Sequence, residues 1–284
     1  EKEFDIKAIA FYLPQFHPVP DNDKVWGPGF TEWTNVAKAK PLFRGHYQPR
    51  IPADLGFYDL RLEETREQQS QLAREAGVEG FCYWHYWMGN GKRLLTRPFD
   101  EMLASGKPDY PFCLAWANHD WTTSSWKNKA GNTMIAKQLY LGEQDYRDHF
   151  SFVLPAFKDH RYITVDGKPL FVIYDPYRFS DVRQFMELWR SLAVENGLKG
   201  IHFVAMCNST TTMKRHEDGT IERVIPNLKS SAEVYESFLK MGFDGINSLG
   251  KSRAEMIYTG KYRRTIRFAM QQHLSFMPTL KYDY

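Results

Sequence analysis

The stretch GFCYWHYW, residues 80–87, begins as a short apolar run and ends in a cluster of aromatic rings with one histidine. A helical pattern over residues 59–76 precedes it and ends at Gly77, and a second run of the same character, FCLAWANHDW, follows at residues 112–121. Short apolar runs separated by helical patterns are typical of the buried strands of a parallel sheet. We therefore predict that the two runs are neighbouring parallel strands whose carboxyl ends open into a ligand site.

The composition is typical of a soluble globular protein. Of the 284 residues, 43% are hydrophobic and 25% are charged, and a net charge of +3 without a basic block argues against a nucleic-acid partner. No apolar run approaches the ~20 residues of a membrane span. All three cysteines lie in apolar runs, which predicts reduced, buried thiols and a cytoplasmic location. The aromatic fraction of 15% suits sugar binding as well as a core.

Buried strands alternate with helical patterns along the whole chain. Repeated units of this kind predict an α/β fold with a parallel sheet. No phosphate-binding glycine motif follows the first strand, so a (β/α)8 TIM barrel fits better than a dinucleotide-binding fold. The six predicted strands start near residues 7, 80, 112, 170, 201 and 243, and the predicted helices cover residues 59–76, 94–104, 143–157, 181–196, 231–241 and 252–276.

The predicted barrel is incomplete, because six βα units are two short of eight. We expect residues 1–284 to form a single barrel domain from which the C-terminal strands are missing. Open sheet edges are prone to aggregation unless something covers them. We therefore expect either an oligomer or partner chain that covers the gap, or a marginally stable protein.

A long segment over residues 15–58 separates the first strand from the first long helical pattern. Connections of this length are usually either functional or disordered. The segment is rich in proline, glycine and aromatic residues, and the aromatic residues favour an ordered structure. Further along, residues 165–168 read Val-Asp-Gly-Lys, which predicts a tight hairpin turn before the fourth strand.

Four motifs resemble a known family. They are AFYLPQFHPVPDND at residues 10–23, WGPGFTEWTNV at 26–36, GFCYWHYW at 80–87 and AWANHDWT at 115–122. Together they resemble the WbsX family of polysaccharide gene clusters, which is related to glycoside hydrolase family 99 and its endo-α-mannosidases. The match runs from Ala8 to about residue 208 and continues more weakly to the end.

The resemblance implies a (β/α)8 barrel and a carbohydrate-active enzyme of bacterial surface-polysaccharide metabolism. Its substrate would be an oligosaccharide or polysaccharide with mannose-like sugars, and no cofactor is implied. The family 99 catalytic pair is two glutamates in a Glu-Trp-His-Glu-like segment late in the barrel, and no Glu-Trp-x-Glu occurs in this sequence. We therefore expect the chain to lack that segment. The catalytic residues are unknown, and Asp120 and Glu32 remain as the carboxylates to consider.

Aromatic and hydrogen-bonding side chains at the predicted strand ends and in the long segment are candidates for sugar binding. Each also has a structural alternative: His85 can be a hydrogen-bonded core residue, Asp120 can cap a turn, and Trp33 can anchor its loop. No histidine has metal-ligand spacing, so we predict no metal site. The substrate-binding candidates are Tyr12, Gln15, Trp33, His85, Tyr86, Trp87, Trp116, Asn118, Asp120, Trp121 and Tyr174.

Three functions remain open from the sequence. The first is a hydrolase similar to glycoside hydrolase family 99. The second is a WbsX-type glycosyltransferase of O-antigen or lipopolysaccharide biosynthesis, against which the missing nucleotide-binding motif argues. The third is a glycan-binding relative without catalysis. Dependence on a nucleotide sugar separates the second from the first, and binding without turnover identifies the third.

Overall fold

The computed structural model describes residues 7–123, 133–207, 212–215, 221–224 and 231–248 of the chain. The chain divides into two units, Glu1–Asn247 and Ser248–Tyr284, and the architecture below is that of the first. The helix predicted over residues 252–276 lies outside the described residues. Among the helices that are described, none is long and apolar enough to cross a membrane.

The main sheet is a curled, mostly parallel half-barrel in which strands that follow each other in the chain are also neighbours in space. The first five strands pair in parallel. This confirms the six strands and the α/β barrel-like architecture predicted from the apolar runs. The strands are β1 Ala8–Tyr12, β2 Val78–Trp87, β3 Phe112–Trp116, β4 Lys168–Ile173, β5 His202–Cys207 and β6 Gly245–Ser248.

Seven helices are described. The first two lie in the long segment after β1, and α3 to α7 each connect two successive strands of the sheet. This alternation is typical of repeated βαβ units. Because the strands of such units are parallel, their carboxyl ends lie at the same edge of the sheet. The helices are α1 Pro20–Trp26, α2 Glu32–Lys38, α3 Glu63–Glu75, α4 Arg97–Ser105, α5 Glu143–Phe157, α6 Val182–Glu195 and α7 Ser231–Met241.

Helix α3 begins four residues later than the sequence pattern predicted. Asp59, the first residue of the predicted helix, instead accepts hydrogen bonds from the backbone and guanidinium of Arg61. The residue that caps the helix is Leu62, without a side-chain hydrogen bond. The local ion pair at residues 59 and 61 therefore holds the chain in a turn before the helix begins.

Alternation along the strands divides their side chains between two faces of the sheet. One face packs against the helices: the ring of Tyr83 lies 5.8 Å from Phe99 of α4, and that of Phe171 lies 4.9 Å from Trp189 of α6. We call the opposite side the inner face, where Phe11 stacks on Trp84 at 5.0 Å. Most of the hydrophobic core lies between the sheet and the helices.

The three cysteines are free and buried, as the sequence predicted. Cys82 of β2 and Cys113 of β3 lie opposite each other in the parallel register, and Cys207 ends β5. Burial among apolar strand residues accounts for the position of all three thiols.

The predicted hairpin before β4 is confirmed. Thr164–Val165 pairs antiparallel with the start of β4, and Val165 lies opposite Lys168. The two residues between them, Asp166 and Gly167, have φ angles of 52° and 76°. Positive φ at both central residues is what a type I′ turn requires, and Asp-Gly is a favoured pair for it.

Candidate functional site

A pocket of about 230 Å³ opens beyond the carboxyl ends of the first three strands. Leu13 and Gln15 follow β1, Tyr86 lies near the end of β2, and His119 follows β3. The carboxyl ends of barrel strands are where TIM-barrel sites lie. The other residues that line the pocket are Asn22, Trp26, Phe30, Glu32, Trp121, Thr122 and Ile135.

Two stacked aromatic pairs form the apolar part of the pocket. Trp26 and Phe30, from the long segment, have ring centroids 5.4 Å apart and an angle of 21° between their planes. Tyr86 of β2 and Trp121, after β3, have centroids 6.1 Å apart at 29°. The two tryptophans are partly exposed, so their flat faces are available to a ligand.

Gln15 and Tyr86 form a hydrogen-bonded pair in the pocket. The Gln15 Nε2 group donates to the Tyr86 hydroxyl over 3.2 Å. The pKa of Tyr86 is raised to about 12, mainly by burial; the hydrogen bond from Gln15 lowers it, and the nearby Glu32 carboxyl contributes to the rise. The Tyr86 hydroxyl therefore keeps its proton at neutral pH and can donate it to an acceptor.

Glu32 is held at the pocket by the packing of its neighbour, Trp33. The indole Nε1 of Trp33 donates to the Tyr58 carbonyl over 2.8 Å, and its ring packs against Phe16 at 4.7 Å. Since adjacent helix residues point about 100° apart, anchoring Trp33 on the loop side turns Glu32 towards the pocket. The Thr31 backbone N–H donates to the Thr34 hydroxyl, which fixes the start of α2.

The Glu32 carboxyl is partly buried and has no partner among the described residues. Burial is the sole cause that raises its pKa, and no described residue forms a hydrogen bond or ion pair with it. A desolvated carboxyl without a partner is expensive to keep charged. Such a group in a cleft is a typical feature of a functional site.

His119 presents a hydrogen-bond acceptor to the pocket. Its Nδ1 lies 2.9 Å from the backbone carbonyl oxygen of Asp120. Because a carbonyl oxygen can only accept, Nδ1 carries the hydrogen and Nε2 of the neutral ring is the acceptor. The ring lies 5.0 Å from that of Tyr174.

The structure brings four of the sequence candidates together in the pocket: Gln15, Glu32, Tyr86 and Trp121. A fifth, Tyr174, lies beside them on the inner face, with its ring 5.5 Å from Trp84 and close to His119. These residues come from the ends of different strands and from α2, so only folding of the sheet places them side by side.

The structure places four candidates on the helix-facing side instead: Tyr12, His85, Trp87 and Trp116. The Tyr12 hydroxyl donates to Gln69 of α3 over 2.6 Å. The Trp116 indole donates to the Trp87 carbonyl over 3.0 Å, deep in the core. The reason is the two-residue period of a strand: the neighbours of an inner-face residue point to the other side.

His85 and Trp87 contact helix α5. The Nε2 atoms of His85 and His149 are 2.8 Å apart, and the Trp87 indole donates to the Asp145 carboxylate over 3.3 Å. The rings of Trp87 and His149 stack at 4.6 Å with 4° between their planes. His85 is thus the hydrogen-bonded core residue of the structural alternative.

Asn118 and Asp120 brace the loops after β3. The Asn118 amide donates to the Asp175 carbonyl over 2.8 Å and accepts from the Asp175 N–H over 2.7 Å, which ties the ends of β3 and β4 together. The Asp120 carboxylate accepts from the Gln138 N–H over 2.8 Å. Neither residue lines the pocket, because both are engaged by neighbouring backbone.

The sequence analysis missed several pocket residues, including His119, Asn22, Trp26 and Phe30. It also passed over Trp84, which shares the inner face with Tyr86. The two-residue spacing between Trp84 and Tyr86 was the available signal. In the described part of the chain, no group of three or more His, Cys, Asp or Glu side chains is arranged to hold a metal ion.

A family model described as Glycosyltransferase WbsX matches residues 8–281, nearly the entire chain. The chain belongs to the WbsX family. It is 41% identical over 194 residues to the uncharacterized protein WxcX of Xanthomonas campestris pv. campestris, strains B100 and ATCC 33913. That alignment covers 68% of this chain and 27% of WxcX, so this WbsX-family chain spans about a quarter of the length of these relatives.

Among solved structures, the WbsX-family chain is similar to the GH99 endo-alpha-mannosidase from Bacteroides thetaiotaomicron, with a TM-score of 0.50 and 15% sequence identity. The superposition covers 87% of this chain and 60% of that one. At this identity the similarity shows the fold, which is the barrel architecture predicted from the sequence.

Proposed function

We propose that this WbsX-family chain belongs to a carbohydrate-active enzyme of bacterial surface-polysaccharide metabolism, and that its pocket binds a sugar unit of a mannose-like glycan. One observation carries the proposal: the pocket at the strand ends combines two stacked aromatic pairs with the polar groups of Gln15, Glu32, Tyr86 and His119. Sugar rings have apolar faces and hydroxyl edges, which match aromatic faces and hydrogen-bonding groups respectively.

The pocket's size supports a single sugar unit. Its volume of about 230 Å³ lies below the roughly 300–1,000 Å³ of pockets that enclose drug-sized ligands. A longer glycan would place one unit in the pocket and continue along the inner face. Trp84 and Tyr174, which are partly exposed there, would contact the next unit.

Hydrolysis similar to that of glycoside hydrolase family 99 is the first form of the activity. Cleavage of a glycosidic bond usually requires two carboxyl groups, one of which holds a proton for the leaving oxygen. Glu32 is the carboxyl that lines the pocket, and its raised pKa suits a proton donor. Hydrolysis by this route requires a second carboxyl group in addition to Glu32.

Glycosyl transfer is the second form, and the description of the matching family model favours it. The two forms differ in what they consume. A hydrolase releases sugar from the glycan alone, whereas a transferase elongates it only when a nucleotide sugar is present. Incubation of the protein with mannose-containing oligosaccharides, with and without nucleotide sugars, followed by product analysis, separates them. Binding without any product would identify a non-catalytic relative.

Sugar binding itself is tested with Trp121→Ala. We expect α-mannosyl oligosaccharides to bind the parent and to bind the variant about tenfold more weakly, since loss of an aromatic stacking surface costs about 1.4 kcal/mol. Titration calorimetry or ligand-observed NMR measures this. The control is Tyr47→Ala, which removes an aromatic ring that is 65% exposed on the long segment and does not line the pocket. Equal binding by the parent and Trp121→Ala would refute the proposal.

Two further features belong to this proposal. The buried, free thiols support a reducing compartment such as the cytoplasm. Strand β1 pairs with β2 at an edge of the described sheet, and its inner-face residue Phe11 and the following Leu13 are 40% and 39% exposed. We infer that an additional strand or a partner chain covers this edge, which sedimentation of the protein alone and at rising concentration would test.

A further inference from the structure

The polar groups of the pocket have a marked bias in charge. Among the described residues that line it, none is a lysine or an arginine, and Glu32 is the one with a carboxyl group. Glu32 has no counterion among the described residues. Most carboxylate- and phosphate-binding sites instead contain arginine, lysine or several converging N–H groups. The described lining offers an anion neither arginine nor lysine.

The hydrogen-bonding roles of two residues also favour an uncharged ligand over an anionic one. His119 uses its Nδ1 hydrogen on the Asp120 carbonyl, so that Nε2 is left as an acceptor. The Glu32 carboxylate is also an acceptor when ionised. A sugar hydroxyl can donate to both groups, whereas a sugar carboxylate or phosphate has no hydrogen to give to either.

We propose that Glu32 and His119 are specificity-determining residues that make the pocket accept a sugar unit without negative charge and reject uronic acids and phosphorylated sugars. This proposal rests on the proposed sugar-binding function of the same pocket. An anionic sugar would place its charge against the Glu32 carboxylate in a partly desolvated site, where like charges repel more strongly than in water. An uncharged sugar instead gives both acceptors a hydroxyl donor, which neither has among the described residues.

The selectivity has a consequence for glycosyl transfer. The diphosphate of a nucleotide sugar carries at least the charge of a uronate, so it is excluded from the pocket by the same repulsion. In a transferase the pocket would therefore hold the acceptor glycan or the sugar part of a donor, with the diphosphate bound elsewhere.

The test compares methyl α-mannoside with methyl α-mannosiduronate, which differ only at carbon 6. Binding is measured by NMR titration at pH 8, where carboxylates are ionised and ordinary histidines are neutral. We expect the parent to bind methyl α-mannoside at least about tenfold more tightly than methyl α-mannosiduronate. A tenfold ratio corresponds to about 1.4 kcal/mol of like-charge repulsion. In Glu32→Gln, which keeps the shape of the side chain and removes its charge, the ratio should fall to within about threefold.

A second measurement does not depend on a variant. Because salt screens charge repulsion, the parent's preference for the neutral glycoside should weaken between low salt and 0.5 M sodium chloride. The control variant is Tyr47→Ala, which should keep the parent's ratio.

The outcomes separate this inference from the proposed function. If the parent binds both glycosides equally and Trp121→Ala weakens both, the pocket binds sugars but the charge selectivity is wrong. A ratio that persists unchanged in Glu32→Gln and in high salt would assign the selectivity to shape and overturn the role of Glu32. If neither these glycosides nor α-mannosyl oligosaccharides bind, the proposed function itself fails.

Discussion

The buried histidine pair between β2 and α5 should make the stability of the protein fall steeply in mild acid. The Nε2 atoms of His85 and His149 lie 2.8 Å apart, so one ring must donate and the other accept. Burial, with a smaller contribution from the charge of Arg93, lowers the pKa of His85 to about 3. Burial and the neighbouring His85 also lower the pKa of His149 well below its ordinary value.

The direction and the size of this change in stability follow from proton linkage. Both folded-state pKa values are depressed, so the unfolded chain binds more protons below pH 6.5 and stability falls as pH drops from about 6.5 towards 3. At pH 5, protonation of a histidine with a pKa of about 6.5 stabilises the unfolded chain by about 2 kcal/mol. A histidine that stays neutral in the folded protein gains no such stabilisation. The pair therefore accounts for a loss of about 4 kcal/mol between pH 8 and pH 5.

The double substitution His85→Leu with His149→Phe removes both titrating groups and keeps a flat ring against Trp87. Replacing both partners of a buried hydrogen bond by apolar groups of similar shape can be nearly neutral. We therefore expect stability close to the parent at pH 8 and a loss between pH 8 and pH 5 that is smaller by about 4 kcal/mol. Other titrating groups, including the buried His17, occur in both proteins and cancel in the difference.

Urea unfolding at pH 8 and pH 5, followed by tryptophan fluorescence, measures these differences. His160→Gln is the control, because it removes a histidine whose side chain is 82% exposed and should leave the pH dependence of the parent intact. A double variant that loses as much stability in acid as the parent would refute the reasoning, since it would mean that the pair is not held neutral in the folded protein.

Two substitutions test the packing that positions the site. Gly80→Ala should destabilise the protein by about 2 kcal/mol or more, because the added Cβ would lie 2.4 Å from the Pro111 carbonyl oxygen. Gly245→Ala should destabilise the protein less in the same urea assay, because its added Cβ would lie 3.4 Å from the nearest atom. A larger loss of stability in Gly245→Ala than in Gly80→Ala would contradict this account. Asn118→Ala should cost about 2–3 kcal/mol because it leaves the Asp175 backbone N–H and C=O without their partners. An unchanged urea midpoint would show that other groups satisfy Asp175.

The sequence by itself determined the order and type of the elements. The six strands follow from continuous apolar runs, and the hairpin at residues 165–168 follows from Asp-Gly, which tolerates the positive φ angles of its turn. Helices α5 and α7 have the predicted bounds because their patterns begin and end clearly. These features depend on local sequence, and the four motifs that resemble WbsX likewise depend on sequence alone.

Only the tertiary structure decided which side chains form the site. In GFCYWHYW nearly every residue can be buried, so the pattern does not show which rings face the helices and which face the inner side. Pairing in the sheet places Trp84 and Tyr86 on the inner face and turns His85 and Trp87 into the core.

The same holds for the polar groups of the pocket. Glu32 reaches the pocket because Trp33 is anchored to the Tyr58 carbonyl, a contact between residues 25 positions apart in the chain. His119 faces the pocket as an acceptor because its Nδ1 is held by the Asp120 carbonyl, whereas the Asp120 carboxylate is held by the backbone N–H of Gln138, 18 residues later. Specific hydrogen bonds fix these directions, those of Trp33 and Asp120 with residues far along the chain and that of His119 with its neighbour, and local sequence periodicity carries no information about them.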